Sequence, residues 1–112
     1  MTPDRLAQER EVALALLAST GYEFDETPLA SNGAVAAWSF VTAGGSVRAD
    51  IYVADGRAER DSLLARLGAF GPNEFPMVAY NGALVYSVAC NDPEGEVVWT
   101  ARTVAGALGG EE

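Results

Sequence analysis

The stretch 75–90, FPMVAYNGALVYSVAC, places two apolar arms around an Asn81-Gly82 pair. An Asn-Gly pair in this setting predicts a β-hairpin with a type I′ turn, because both central residues of that turn need positive φ. With these two residues at the centre of the turn, Met77 pairs with Tyr86. Neither face of the hairpin is polar, so the pattern predicts a central hairpin that is covered on both sides.

A second pattern predicts an earlier hairpin. Residues 34–42 are apolar on both faces of a strand, residues 43–45 predict a tight turn, and residues 46–54 alternate. The positions predicted to face the core are Val47, Ala49, Ile51 and Val53. The positions predicted to meet water are Ser46, Arg48, Asp50 and Tyr52. This polar row is the first candidate surface for function, and its alternative is an ordinary solvated strand face.

Capping residues and apolar spacing predict two helices. Thr2 is an N-cap before Pro3, and the helix that follows is predicted to end before Gly21. Asp55 is predicted to cap a second helix over residues 57–67, whose apolar stripe consists of Leu63, Leu64 and Leu67. The other side of that helix is predicted to be a solvated face with Arg57, Glu59, Arg60, Asp61 and Arg66.

The final segment is compatible with two structures. Residues 92–95 form either a type I turn before a strand through 97–100 or the cap of a helix over 93–108. The helix is favoured because it places five apolar residues on one stripe: Val97, Ala101, Val104, Ala105 and Leu108. Trp99 then lies opposite the stripe and is exposed unless another element covers it, whereas in a strand it joins the core.

These elements predict one α+β domain over residues 1–112, in the order α-β-β-α-β-β-α. The sheet is expected to have four mostly antiparallel strands, with the helices packed on one of its faces. Residues 25–33 and 69–74 are predicted to be loops.

The charge of the chain limits its partners. Sixteen Asp and Glu residues against seven Arg give a formal net charge of −9 and a pI near 4.3. Binding to nucleic acid or to an anionic membrane needs cationic patches, so neither is expected. A basic protein partner, a small-molecule ligand and plain solubility all remain compatible. Glu9 and Glu11 occupy the place of a signal peptide's basic region, and no apolar run reaches the ~20 residues that span a bilayer, so a cytoplasmic location is expected.

The residue inventory removes most catalytic machinery. The chain has no His, and its single cysteine, Cys90, ends an apolar strand, where it is expected to be a small buried hydrophobe. Without His, neither a Ser-His-Asp catalyst nor a His-ligated zinc site can be built. The carboxylates of Glu23, Asp25 and Glu26 could hold a hard cation, but a solvated acidic loop is the favoured interpretation. No catalytic residue, cofactor or metal is predicted.

Four features together resemble an uncharacterised group of small bacterial α+β domains, many of them carried on exported lipoproteins. These features are Gly21-Tyr22-Glu23 after a helix, residues 47–53 before an Ala- and Arg-rich helix, residues 80–88 around the Asn-Gly turn, and residues 91–94 at a C-terminal helix. The resemblance implies a helix for the final segment, but no activity and no functional residues. This sequence departs from the group because it shows neither a signal peptide nor an acylated cysteine.

Aromatic residues remain as the functional signal. Trp99, Tyr80 and Tyr52 are candidate partner-binding residues because interface hot spots are enriched in Trp and Tyr. Arg48 and Asp50, in the same row as Tyr52, complete the candidate set. The first hypothesis is a small acidic non-enzymatic binding domain, with a homodimer through a sheet edge or the Trp99 face as one form.

Two other classes stay open. An inhibitor or immunity-type protein would present one contiguous acidic patch to a basic site on an enzyme. A small-molecule pocket or enzyme between the sheet and residues 68–74 would need a concave cavity where Arg48, Tyr or carboxylate groups converge.

Overall fold

The computed structural model describes residues 2–31, 33–67, 76–91 and 95–109. Its helices are α1 (Pro3–Ala18), α2 (Arg57–Leu67) and α3 (Val97–Leu108), with a 3-10 turn at Ala43–Gly45. Its strands are β1 (Asp25–Thr27), β2 (Ala36–Thr42), β3 (Val47–Val53), β4 (Met77–Asn81) and β5 (Leu84–Cys90). The strands form one antiparallel sheet in the order β1-β2-β3-β5-β4. The fold is therefore α+β with three helices, as predicted, but the sheet has five strands and not four.

Helix α1 begins where its capping residues predict. The Thr2 hydroxyl accepts a hydrogen bond from the Arg5 backbone N–H at 3.1 Å, and Pro3 is the first helical residue. Pro at this position is favourable because the N–H that it lacks would have no partner inside the helix. The buried side of α1 consists of Ala13 and Leu17, which pack against the sheet and α3.

Strand β1 falls in a segment predicted to be a loop, and that prediction is wrong. Asp25–Thr27 pairs with β2, although Asp has little intrinsic preference for strands. Contacts with other segments stabilise β1 where intrinsic strand propensity does not. The Thr42 hydroxyl donates to the Glu23 carbonyl oxygen at 2.7 Å, and Arg10 of α1 forms an ion pair with Glu26.

The β2–β3 hairpin follows its predicted pattern on one face. The alternating positions Val47, Ala49, Ile51 and Val53 are all fully buried. The turn between the strands places Ala43, Gly44 and Gly45 at positive φ. Two consecutive glycines make this turn possible because they adopt the left-handed region without a Cβ clash.

The β4–β5 hairpin forms, but its predicted register is wrong. Asn81 pairs with Leu84, so Gly82 and Ala83 are the central residues of the turn. Gly82 has φ +60° and Ala83 lies outside the left-handed region, which is the pattern of a type II′ turn. That turn needs glycine only at its first central position, so Asn81 is free to remain in the strand.

Two consequences follow from this register. Met77 pairs with Val88 and not with Tyr86, a shift of two residues that leaves every side chain on its predicted face. The Asn81 side-chain amide donates to the Leu108 carbonyl oxygen at 2.9 Å. Asn81 thereby satisfies a carbonyl at the end of α3, where no intrahelical donor is available.

The helices lie on both faces of the sheet, so the predicted packing on a single face is wrong, whereas the predicted coverage of the central hairpin on both sides is confirmed. Helices α1 and α3 cover the face that carries Ile51 and Tyr86, whereas α2 covers part of the opposite face, above Tyr52 and Val85. Leu63 of α2 is only 1% exposed and is the centre of the second layer. The predicted apolar stripe of α2 is therefore confirmed, and the structure shows which face of the sheet it packs against.

Helix α3 confirms the helical interpretation of the final segment. All five residues of the predicted stripe face the sheet, and Gly109 at φ +69° ends the helix. Trp99 lies opposite the stripe with 68% of its surface exposed. The predicted helix start at Pro93 and the loop 69–74 lie outside the described residues.

Candidate functional site

The five residues predicted to bind a partner do not form one site. Arg48, Asp50 and Tyr52 lie on β3 and Tyr80 lies on β4, with side chains on the α2 face of the sheet. Trp99 lies on α3, which packs on the other face. The predicted residues therefore lie on two separate surfaces, one on the sheet and one on helix α3.

On the sheet surface, Arg48 and Asp50 form a small polar network with Ser39. The Arg48 Nε and the Ser39 hydroxyl each donate to Asp50 Oδ1 at 2.7 Å. Ser39 is fully buried and Asp50 is 21% exposed. The network fixes the two charges to each other at the surface of the sheet, where a solvated ion pair contributes about 0.2–1 kcal/mol.

The two tyrosines are packing residues in this structure. Tyr52 is only 3% exposed because α2 covers its part of the sheet, so the prediction that it meets water is wrong. Tyr80 is half-buried, and its ring lies under the guanidinium of Arg60 with the Cζ atom 4.0 Å from the ring centroid. Tyr80 therefore acts by positioning Arg60.

Trp99 lies beside a groove between α3 and the edge strand β4. The guanidinium of Arg102 lies 5.6 Å from the Trp99 ring centroid and also forms part of the groove wall. The groove has a volume of about 340 Å³ and is lined by Met77, Val78, Ala79, Tyr86, Arg102, Ala105, Gly106 and Gly109. A large exposed ring and a largely apolar depression thus lie side by side on one surface, called here the α3–β4 surface.

A second cavity, the arginine pocket, lies where the first turns of α1 and α2 meet the β4–β5 turn. It measures about 550 Å³ and is lined by Thr2, Arg5, Ala54, Asp55, Gly56, Arg57, Arg60, Gly82 and Ala83. Three of the chain's seven arginines line this one cavity. Asp55 is the single acid among the described lining residues.

The sequence does not predict that these three arginines share a site. It predicts a solvated helix face for Arg57 and Arg60, and it gives no prediction for Arg5. A signal was present, because cations in the first turn of a helix oppose the helix dipole and are usually replaced there by acids. Only the fold shows that the three first-turn positions meet at one place.

In the described part of the chain, the acidic cluster and the single cysteine singled out in the sequence line neither the groove nor the arginine pocket. Glu23, Asp25 and Glu26 are all exposed around β1, and no group of acids or cysteines suited to a metal ion is found in the described part of the chain. Cys90 is half-buried and free. Among the described helices, none is both long and apolar enough to cross a bilayer.

Comparisons with known proteins identify no relative. No protein-family model, no curated protein and no solved structure matches this chain. The proposals below therefore depend on geometry and charge alone.

Proposed function

We propose that this chain is a small non-enzymatic interaction domain that self-associates through its α3–β4 surface. The observation that carries the proposal is Trp99, which is 68% exposed on a helix whose Val104 and Leu108 side chains are buried in the core. Trp is one of the residue types enriched at interface hot spots.

The distribution of charge supports this surface. The net charge of the chain is −9, yet segments 76–91 and 97–109, which supply both walls of the groove, contain no acid and one charged residue, Arg102. The core of an interface is typically depleted of charged residues. Two copies with large negative charges can approach through this surface without placing carboxylates against each other.

The shape of the surface supports a second copy as the occupant. In a two-fold dimer the same patch is used by both chains, so a projection must meet a depression on its own surface. Trp99 provides the projection and the adjacent groove of about 340 Å³ provides the depression. Each Trp99 ring enters the groove of the other copy, where Met77 and Ala105 supply apolar walls.

The test is the mass in solution, measured by light scattering after gel filtration over a series of concentrations. Wild type is expected to be a dimer and Trp99→Ala a monomer. Two rings are lost at once, so at about 2 kcal/mol each the dimer Kd rises on the order of 1000-fold. Gly106→Leu, which fills the groove and leaves Trp99 intact, is expected to dissociate the dimer as well.

Tyr22→Ala is the matched control because Tyr22 is also an exposed aromatic, 38% accessible, and lies away from the α3–β4 surface. Its mass is expected to equal that of wild type. A wild-type monomer whose Trp99 fluorescence is red-shifted and quenchable would contradict self-association, and the surface would then be tested against other proteins by pull-down.

A further inference from the structure

We propose that the arginine pocket binds a small organic polyanion, a phosphate ester or polycarboxylate without an aromatic ring. The site is separate from the α3–β4 surface and does not depend on self-association. It is formed by Arg5 from α1 and by Arg57 and Arg60 from α2.

The guanidinium groups of the arginine pocket retain free hydrogen-bond donors. Arg5 uses its Nε on Glu9 at 3.3 Å, and Arg57 makes no hydrogen bond or ion pair within the described part of the chain. Arg60 Nε is buried without a hydrogen-bond partner, and its nearest acid oxygen, on Asp61, lies at 3.6 Å. The terminal nitrogens of all three side chains are available to carboxylate or phosphate oxygens, which guanidinium binds in bidentate geometry.

The lining of the arginine pocket is positively charged, although the chain as a whole is negatively charged. In a chain with net charge −9, the described residues that line this cavity carry three cations and one anion. Arg5 and Arg60 each have one acid nearby, Glu9 and Asp61, whereas Arg57 has no ion-pair partner among the described residues. A bound anion removes the repulsion that remains between the three guanidinium groups. The helix dipoles of α1 and α2 act in the same sense, since both helices begin at the cavity wall.

The arginine pocket is partly preorganised and is large enough for a small organic ligand. Arg60 is held over the Tyr80 ring at 4.0 Å, so one of the three donors is fixed before a ligand arrives. Four of the described lining residues, Ala54, Gly56, Gly82 and Ala83, have no side chain larger than a methyl group, so they leave the space in the cavity open. A cavity of about 550 Å³ is larger than one phosphate needs and suits a small organic molecule that carries several anionic groups.

The lining residues also narrow the ligand class. No aromatic ring is found among the described residues that line the cavity, so a nucleobase would have no stacking partner. A compact anion such as a sugar phosphate or a tricarboxylate fits this chemistry better than a nucleotide.

The test is isothermal titration calorimetry of pyrophosphate, and separately of citrate, into the full chain, with sodium chloride at equal ionic strength as the salt control. At least one of the two anions is expected to bind with a Kd below about 1 mM. Arg57→Gln is expected to raise the Kd about tenfold, because the variant loses one charge-assisted hydrogen bond to the anion. Arg5→Gln is the second variant, and far-UV circular dichroism verifies the fold of each.

Arg48→Gln is the matched control, because it removes one exposed arginine that lies outside the cavity and gives the same net charge as Arg57→Gln. Its affinity is expected to equal that of wild type. Failure of both anions to bind below about 1 mM would overturn the proposal. An equal loss of affinity in Arg48→Gln and Arg57→Gln would also overturn it, since the anion would then respond only to the overall charge.

Discussion

Two glycine-to-alanine substitutions, Gly82→Ala and Gly106→Ala, should change the stability of the protein in opposite directions. Gly82 occupies the first central position of the β4–β5 turn at φ +60°, whereas Gly106 lies within α3. A Cβ built at either position meets no other atom within 4 Å. The two substitutions therefore differ only in the backbone conformation that alanine must adopt.

The magnitudes follow from that difference. Gly82→Ala forces an L-residue into the left-handed region and is expected to lower the free energy of unfolding by about 1–2 kcal/mol. Gly106→Ala replaces a poor helix former by the best one and is expected to raise it by about 0.8–1 kcal/mol. The spread between the variants is about 2–3 kcal/mol, or on the order of 10 °C in Tm.

A third variant distinguishes the observed turn from the one predicted by the sequence. In a type I′ turn Asn81 would occupy a left-handed position, so Asn81→Gly would be nearly neutral. In the observed register Asn81 is a strand residue whose amide binds the Leu108 carbonyl. Asn81→Gly should therefore cost about 1.5–2 kcal/mol, from the lost hydrogen bond and the glycine in a strand.

The assay is urea unfolding followed by circular dichroism at low protein concentration, so that self-association does not contribute. Equal slopes against urea would show that the denatured state is unchanged. The reasoning is refuted if Gly82→Ala is as stable as wild type, or if Asn81→Gly leaves the midpoint unmoved while Gly82→Ala lowers it.

Two further changes test the second layer and the polar network. Leu63→Ala should lower the free energy of unfolding by about 2–5 kcal/mol in the same assay. Leu64 is only half-buried, so Leu64→Ala should lower it by less. Equal losses in the two variants would show that Leu63 is not the centre of the layer. Ser39→Ala removes one hydrogen-bond donor from the Asp50 carboxylate, which keeps its bond to Arg48 and its partial contact with solvent. Thermal unfolding is therefore expected to show a loss of only about 1 kcal/mol in the free energy of unfolding. A loss several times larger would show that Asp50 depends chiefly on Ser39.

The sequence predicts those elements whose signals are local. Pro3 after Thr2 marks the start of α1, and the five-residue stripe of α3 needs only helical spacing to be recognised. The burial of alternate residues in β3 is predicted because the alternation repeats four times. In each case the information lies within one segment.

The features that the sequence does not predict depend on contacts between distant segments. Strand β1 exists because β2 offers it a partner, and Tyr52 is buried because α2 lies on its face. The arginine pocket combines residue 5 with residues 57 and 60, which no local pattern relates. Propensity and spacing cannot rank such pairings, since they do not specify which segments become neighbours.

The polar character of β1 has a consequence for the behaviour of the protein at high concentration. Strand β2, AAWSFVT, has no charge and no proline, and an unpaired strand of that composition is a template for cross-β aggregation. Three residues, two of them exposed acids, occupy that edge instead. Two copies that met edge to edge would bring Asp25 and Glu26 against the same residues of the other chain, and the strand is too short to support an extended ladder. β1 thus keeps the protein soluble, and an Asp25→Val, Glu26→Val double change, which also removes the ion pair between Glu26 and Arg10, is expected to turn the protein toward fibres.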